Sequence, residues 1–349
     1  MNQKHAKDFA RQLVQWQRQH GRHDLPWQNT RNPYRVWLSE IMLQQTQVAT
    51  VKGYFARFVE RFADVQSLAA ASLDDVLGLW SGLGYYSRAR NLHRCARQVV
   101  DHYGGAFPKD AQTLATLPGI GPSTAAAIAS LCFDQRVAIL DANVKRVVSR
   151  IKAMDVDVSQ SAHQRALWQA ATTLLPAPQR TQPDMAAYTQ GMMDLGATLC
   201  TPKNPLCLQC PVQNHCSAAQ AGDPERYPAH KRKAKRSSQS LWLLWAETPQ
   251  DAVWLSRRPT PGIWAGLYCL PVFDSEPALL QALPANARSQ LQPQTPFVHV
   301  LTHKDLHLHP CKVTLPQTAV LGEGRWFGSA DWLSLGLPAP VRRLLLEEE

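Results

Sequence analysis

The sequence predicts a mostly α-helical body over residues 1–216, a basic linker over 217–240 and a smaller α+β domain over 241–349. Three observations carry this expectation. Through the first two-thirds, apolar residues recur at helical spacing between proline and glycine turns. Four cysteines then share one compact loop, 200–216. Beyond residue 240 the period changes, and LWLLWA, AVWLSRR, GIWAGLYCLP and FVHVLTHKDLHLHP read as short strands, with helices near Glu276 to Leu283 and Val341 to Glu349.

A chain of 349 residues with 45% hydrophobic content can bury one large core and one smaller one. Its net charge of +10 favours a polyanionic partner. No apolar signal stretch opens the sequence and no apolar run approaches ~18 residues, which argues against secretion and membrane spanning. The expected compartment is a reducing cytoplasm, where eight cysteines do not imply a disulfide framework.

Residues 3 to 20 read as an amphipathic helix carrying Phe9, Leu13, Val14 and Trp16. After Leu25-Pro26-Trp27, Asn32-Pro33 supplies a cap and a helix-starting proline for one helix, YRVWLSEIMLQQTQVATV. On it Trp37, Glu40, Gln44 and Gln47 fall on one stripe, so a carboxylate sits in an apolar helix. Either Glu40 pairs with an arginine such as Arg57 or Arg88, or desolvation raises its pKa and suits it to act as a general acid. Ser72-Leu73-Asp74-Asp75 is a capping box for a helix ending at Trp80-Ser81-Gly82-Leu83-Gly84. Tyr85, Tyr86, Arg88, Arg90, Arg94 and Arg97 follow, a basic and aromatic face that is either solvated or a nucleic-acid surface.

The stretch Leu117 to Arg150 is the centre of the first body. Leu117-Pro118-Gly119-Ile120-Gly121 is a tight turn between two helices, the second opening at Pro122. This helix-hairpin-helix leaves free N–H groups at a helix start, a concavity suited to an anion such as a DNA phosphate. An apolar run ending in Ile139-Leu140 then stops at Asp141, at the start of another helix. Asp141 reads as an N-cap, and the helix N–H groups are expected to keep it ionised at low pKa.

Helical sequence continues from Ser161 to Leu175 and over Tyr188 to Gly196. Cys200, Cys207, Cys210 and Cys216 follow, and four thiolates this close can bind zinc or an iron–sulfur cluster. Cys95, Cys132, Cys269 and Cys311 read as buried small side chains. The linker carries Lys231, Arg232, Lys233, Lys235 and Arg236. His299, His307 and His309 alternate with apolar residues and read as strand surface residues, with no metal site expected there.

Taken together, WLSEIMLQQTQVATV, LWSGLGYYSRARNLH, LPGIGPSTAAAI and LDANVKRV resemble the MutY-type adenine DNA glycosylases of the helix-hairpin-helix glycosylase superfamily. The staggered cysteine spacing resembles the [4Fe–4S] loop of that family and of endonuclease III, which makes Cys200, Cys207, Cys210 and Cys216 cluster ligands. The second domain resembles the family's Nudix-like C-terminal domain but lacks the Nudix pyrophosphatase signature. Where the family has Phe-Ser-His for 8-oxoguanine recognition, this chain has Leu301-Thr302-His303, keeping a hydroxyl and the histidine but not the aromatic.

The resemblance implies base excision by a monomer acting on double-stranded DNA that contains adenine opposite 8-oxoguanine or guanine, in the cytoplasm at the nucleoid. It places Gln44 and Tyr85 in a wedge that opens the duplex, Trp27 and Gln190 at the adenine pocket, and Gly119, Gly121 and Lys145 on phosphate. It makes Glu40 the acid that protonates adenine and Asp141 the stabiliser of the positive sugar, with Asn143 orienting the site. Ser123 stands where lyase-competent relatives carry a lysine, so the product is expected to be an intact strand with an abasic site. Two rivals are a bifunctional endonuclease III-like glycosylase/lyase, against which the C-terminal domain argues, and a non-catalytic DNA-binding protein, which would lack Glu40 or Asp141.

Overall fold

The computed structural model describes residues 3–158, 160–178, 184–229 and 236–347. Eleven helices run from α1 (Gln3–His20) through α2 (Pro33–Leu43), α3 (Val48–Arg61), α4 (Val65–Ala70), α5 (Leu73–Leu79), α6 (Ser87–Tyr103), α7 (Ala111–Leu114), α8 (Pro122–Phe133), α9 (Ala142–Ile151), α10 (Ser161–Thr173) and α11 (Met185–Thr198). The short α12 (Ser217–Gln220) follows the cysteine loop. Strands β1 (Ser237–Glu247), β2 (Val253–Arg257), β3 (Tyr268–Cys269) and β4 (Val272–Phe273) then alternate with α13 (Glu276–Ala282), β5 (Gln292–Pro293), β6 (Phe297–Val300), β7 (Lys304–Thr314) and β8 (Arg325–Phe327). The short helices α14 (Ser329–Ser334) and α15 (Ala339–Leu346) end the described chain. Among the described residues no helix is long and apolar enough to cross a membrane.

The backbone divides into two compact units. One combines Met1–Ala69 with Arg94–Arg232, and the other combines Ala70–His93 with Lys233–Glu349. In the first, Phe9 and Leu13 of α1, Ala126 and Ala127 of α8, Val144 and Val147 of α9, Leu167 of α10 and Met192 of α11 share one buried core. Phe9 and Leu13 lie four apart and Val144 and Val147 three apart, so each pair shares one helix face, whereas α8 is buried nearly all round. In the second unit the sheet runs β3-β2-β1-β7-β5, with β1 and β7 parallel over Ser237↔Lys304 to Glu247↔Thr314. Its other recorded pairings are antiparallel, and β6 and β7 form a hairpin in which Val300 faces Asp305.

The helix expected over YRVWLSEIMLQQTQVATV is two helices. Gln44 leaves the helical region at φ −58°, ψ 113°, Gln45 takes φ +56°, and α3 begins only at Val48. Thr46 Oγ1 donates to the Gln44 carbonyl at 3.3 Å, a local bond that competes with the helix ladder. Trp37 and Glu40 therefore remain together on α2, whereas Gln47 stands at the N-cap position of the next helix without a side-chain capping bond. In the stretch expected as linker, α12 is helical, Pro224–Arg226 forms a 3₁₀ turn and β1 starts at Ser237. Lys231, Arg232, Lys233 and Lys235 lie outside the described residues. Arg236 donates to the Leu301 carbonyl at 2.5 Å and pairs with Asp305 at 3.0 Å.

Candidate active site and cluster loop

Asn32 starts α2 by accepting from Tyr34 N and Arg35 N, with Pro33 in the first turn, and so sets the face on which Glu40 stands. Glu40 makes no ion pair among the described residues, so the arginine pairing weighed above is not present. Burial, reinforced by the charge of Asp141, raises its carboxyl from 4.5 to about 7. The Cys132 thiol of α8 is pushed up to about 12, chiefly by burial, with a smaller contribution from the charge of Glu40.

Asp141 caps α9, its Oδ1 accepting from Val144 N at 2.7 Å. The chain reaches it through Leu140, whose N–H donates to Ser123 Oγ at 3.1 Å, so the hairpin helix fixes the position of the carboxylate. Its pKa is raised and not lowered as the cap alone predicted. Burial outweighs the Val144 N–H and the positive charges of Arg146 and Lys145. Burial thus raises both carboxyls, and Glu40, which also feels the charge of Asp141, reaches about 7.

Asn143 is the second residue of α9, in its first turn. Its Oδ1 accepts from Arg146 Nη2 at 2.9 Å, and its Cβ packs where a Gly196 side chain would lie, 2.7 Å from a Cβ built there. Lys145 is half-buried on the same turn. In the hairpin, Gly119 takes φ +78°, open chiefly to glycine, while a Cβ on Gly121 would meet nothing within 4 Å. Gly121 therefore leaves open space beside the start of α8.

Trp27 and Gln190 line one cavity of about 360 Å³, together with Arg22, Gln28, Val36 of α2 and Leu131 of α8. Trp27 is held edge-on to Phe55 at 5.3 Å. Gln44, half-buried, closes α2 in the first unit. Tyr85 belongs to the second, where it takes φ +47°, is 45% exposed and shares a 2.8 Å hydroxyl contact with Thr302. Thr302 and His303 are both exposed in the β6–β7 turn, and the His303 carbonyl accepts from Ser237 N at 3.2 Å.

Cys200, Cys207, Cys210 and Cys216 carry no disulfide and line a single cavity with Arg150. Among the described residues no three potential ligands converge as one ion would need. Four free thiols that line one cavity are the donor set an iron–sulfur cluster takes. Burial pushes Cys210 up to about 12 and raises Cys207 and Cys216, so iron must displace their protons. Two residues escaped the sequence reading. Arg150, 2% exposed, donates to Cys200 Sγ at 3.3 Å and to the Thr201, Pro202 and Tyr227 carbonyls. Arg146 donates to the Cys200 carbonyl at 2.7 Å. Their spacing of one helical turn on α9 was the available signal.

The chain matches the HhH-GPD superfamily base excision DNA repair protein model over residues 38–172, the NUDIX domain over 240–347 and the iron-sulfur binding domain of endonuclease III over 200–216. It is 35% identical to the adenine DNA glycosylase of Buchnera aphidicola subsp. Schizaphis graminum, covering 97% of each chain. It is 47% identical to that of Mus musculus, covering 96% of this chain and 77% of the relative. Among solved structures, a thermostable thymine-DNA glycosylase aligns with TM-score 0.55 and 28% identity, over 62% of this chain and 98% of that one. An endonuclease III–DNA complex aligns with TM-score 0.51 and 20% identity, over 64% and 98%, a likeness of fold.

Proposed function

The chain belongs to the adenine DNA glycosylase family, and from that premise we propose that it excises adenine mispaired with 8-oxoguanine or guanine in double-stranded DNA, leaving an abasic site and an unbroken strand. It is a DNA glycosylase of base excision repair whose cofactor is a [4Fe–4S] cluster, which the four unpaired thiols around one cavity fit. When bound, that group cross-links the loop 200–216. We place the enzyme as a monomer in the cytoplasm, at the nucleoid.

The pairing of Glu40 with Asp141 carries the proposal. A carboxyl poised at about 7 holds a proton near physiological pH, so Glu40 protonates adenine at N7 and makes it a leaving group. Adenine must first leave the stack, with Gln44 and Tyr85 entering the duplex in its place and Trp27 and Gln190 lining the pocket that receives it. Asp141 stabilises the positive sugar that forms, Asn143 orients the site, and water completes the hydrolysis once Glu40 has given up its proton. Gly119, Gly121 and Lys145 hold phosphate.

Ser123 supports the monofunctional assignment, because a hydroxyl cannot form the imine through which a lysine leads to strand cleavage. Ser123→Lys is expected to gain strand nicking and a borohydride-trappable DNA adduct. Losing the bond from Leu140 N should also cost about 1 kcal/mol of stability. Wild type that nicks without heat or alkali, at the rate of adenine release, would instead favour the glycosylase/lyase.

Thr302 and His303 are assigned to the opposite base. Thr302→Val with His303→Ala should reduce the preference for 8-oxoguanine over guanine and leave excision opposite guanine near wild type. Equal losses in both contexts would remove the recognition role.

A further inference from the structure

Asp194 stands one helical turn beyond Gln190 on α11 and is wholly buried. Its carboxylate receives three N–H groups: Arg22 Nε at 2.7 Å, Arg22 N at 3.0 Å and Gln190 Nε2 at 2.9 Å. Glycine at position 21 permits this approach, because a Cβ there would lie 2.4 Å from the Gln17 carbonyl oxygen and 3.0 Å from Asp194 Oδ2. A carboxylate paired with a guanidinium accepts and does not donate, so Gln190 can meet it only through its NH2 group. The Gln190 carbonyl oxygen has no protein partner among the described residues and belongs to a side chain that lines the cavity. In the same lining, Gln28 accepts from Leu25 N at 3.4 Å through Oε1, and its buried Nε2 has no partner.

We infer that Asp194 is a positioning residue that fixes the Gln190 amide, so that the cavity selects bases with an exocyclic amino group over bases with a carbonyl at that position. The inference rests on the proposed entry of adenine into this cavity. The amino group of adenine gives a hydrogen to Gln190 Oε1. Hypoxanthine would set its carbonyl oxygen against that oxygen, and the amide cannot turn over without aiming Oε1 at the Asp194 carboxylate. Sites whose polar groups are held in place reject a mismatched analogue strongly, because the buried group is left unpaired.

The test uses the full-length, cluster-bearing protein under single-turnover conditions, with duplexes carrying adenine, purine or hypoxanthine opposite the same guanine. Purine lacks the substituent and supplies the neutral reference. Wild type should release hypoxanthine at least about tenfold more slowly than purine, because its carbonyl oxygen and Gln190 Oε1 are both left buried without a donor, whereas purine places no group there. Asp194→Asn, verified by circular dichroism and visible absorbance, cannot satisfy all three donors and frees the amide, so the hypoxanthine-to-purine ratio should rise towards one. A merely structural role would slow all three bases alike. Should Asp194→Asn not fold, the wild-type series together with Gln190→Met, which should level the same ratio, decides the matter. Wild type that releases hypoxanthine as fast as purine, or folded Asp194→Asn with the wild-type ratio, overturns the inference. A wild type that releases no adenine at all overturns the premise, a result distinct from release without discrimination.

Discussion

Glu40→Gln is expected to release adenine about 10² to 10⁴ times more slowly than wild type, the usual cost of losing a general acid. Binding to mismatched DNA should persist, because the amide keeps the size of the side chain. The pH dependence follows from the raised pKa. Glu40 is protonated below about 7, so single-turnover excision should be sustained there and fall up to tenfold per pH unit above it. Glutamine removes this limb of the profile. Near-normal turnover by Glu40→Gln would exclude Glu40 as the acid.

The same substitution should make the protein more stable. Between pH 4.5 and about 7 the folded chain keeps a proton that the unfolded chain has lost, so stability is full below 4.5 and declines as pH rises through that window. The decline amounts to at most about 3 kcal/mol. Glu40→Gln is spared it and should unfold a few degrees higher than wild type at pH 8, with the difference vanishing near pH 4.5. A stability gain of the same size at both pH values would contradict the raised pKa.

Cys207→Ser should give poorly soluble protein with little iron and no measurable DNA affinity. The loop is short of regular structure and depends on its ligands, and metal-binding free energy at such a site is folding free energy. Wild type should be coloured by thiolate-to-iron charge transfer. It should lose iron in acid, because protons compete with iron for the thiolates. Colourless protein with stoichiometric zinc, or Cys207→Ser with full DNA affinity, would overturn the cluster's structural role.

The features legible in the sequence are those fixed by neighbouring residues. The turn at Gly119 and Gly121, the Asn32-Pro33 and Asp141 caps and the cysteine spacing depend on local chemistry. The break after Gln44 escaped because glutamine is a good helix former and nothing in the stretch demands a turn. The rise in the pKa of Asp141 escaped for another reason, since desolvation comes from elements brought in by folding. Long-range polar pairs were out of reach altogether. Asp194 meets Arg22 across 172 positions, and Arg150 donates to a carbonyl 77 positions away, in residues that periodicity treats as surface.

Adenine release from a duplex with a single adenine opposite 8-oxoguanine, with base and strand followed separately in one reaction, decides whether this chain is a monofunctional adenine glycosylase. Wild type should yield free adenine and a strand that stays whole until hot alkali cleaves it, and Glu40→Gln almost none of either product. Release of no base, or strand breakage in step with base release before alkali, would contradict that assignment.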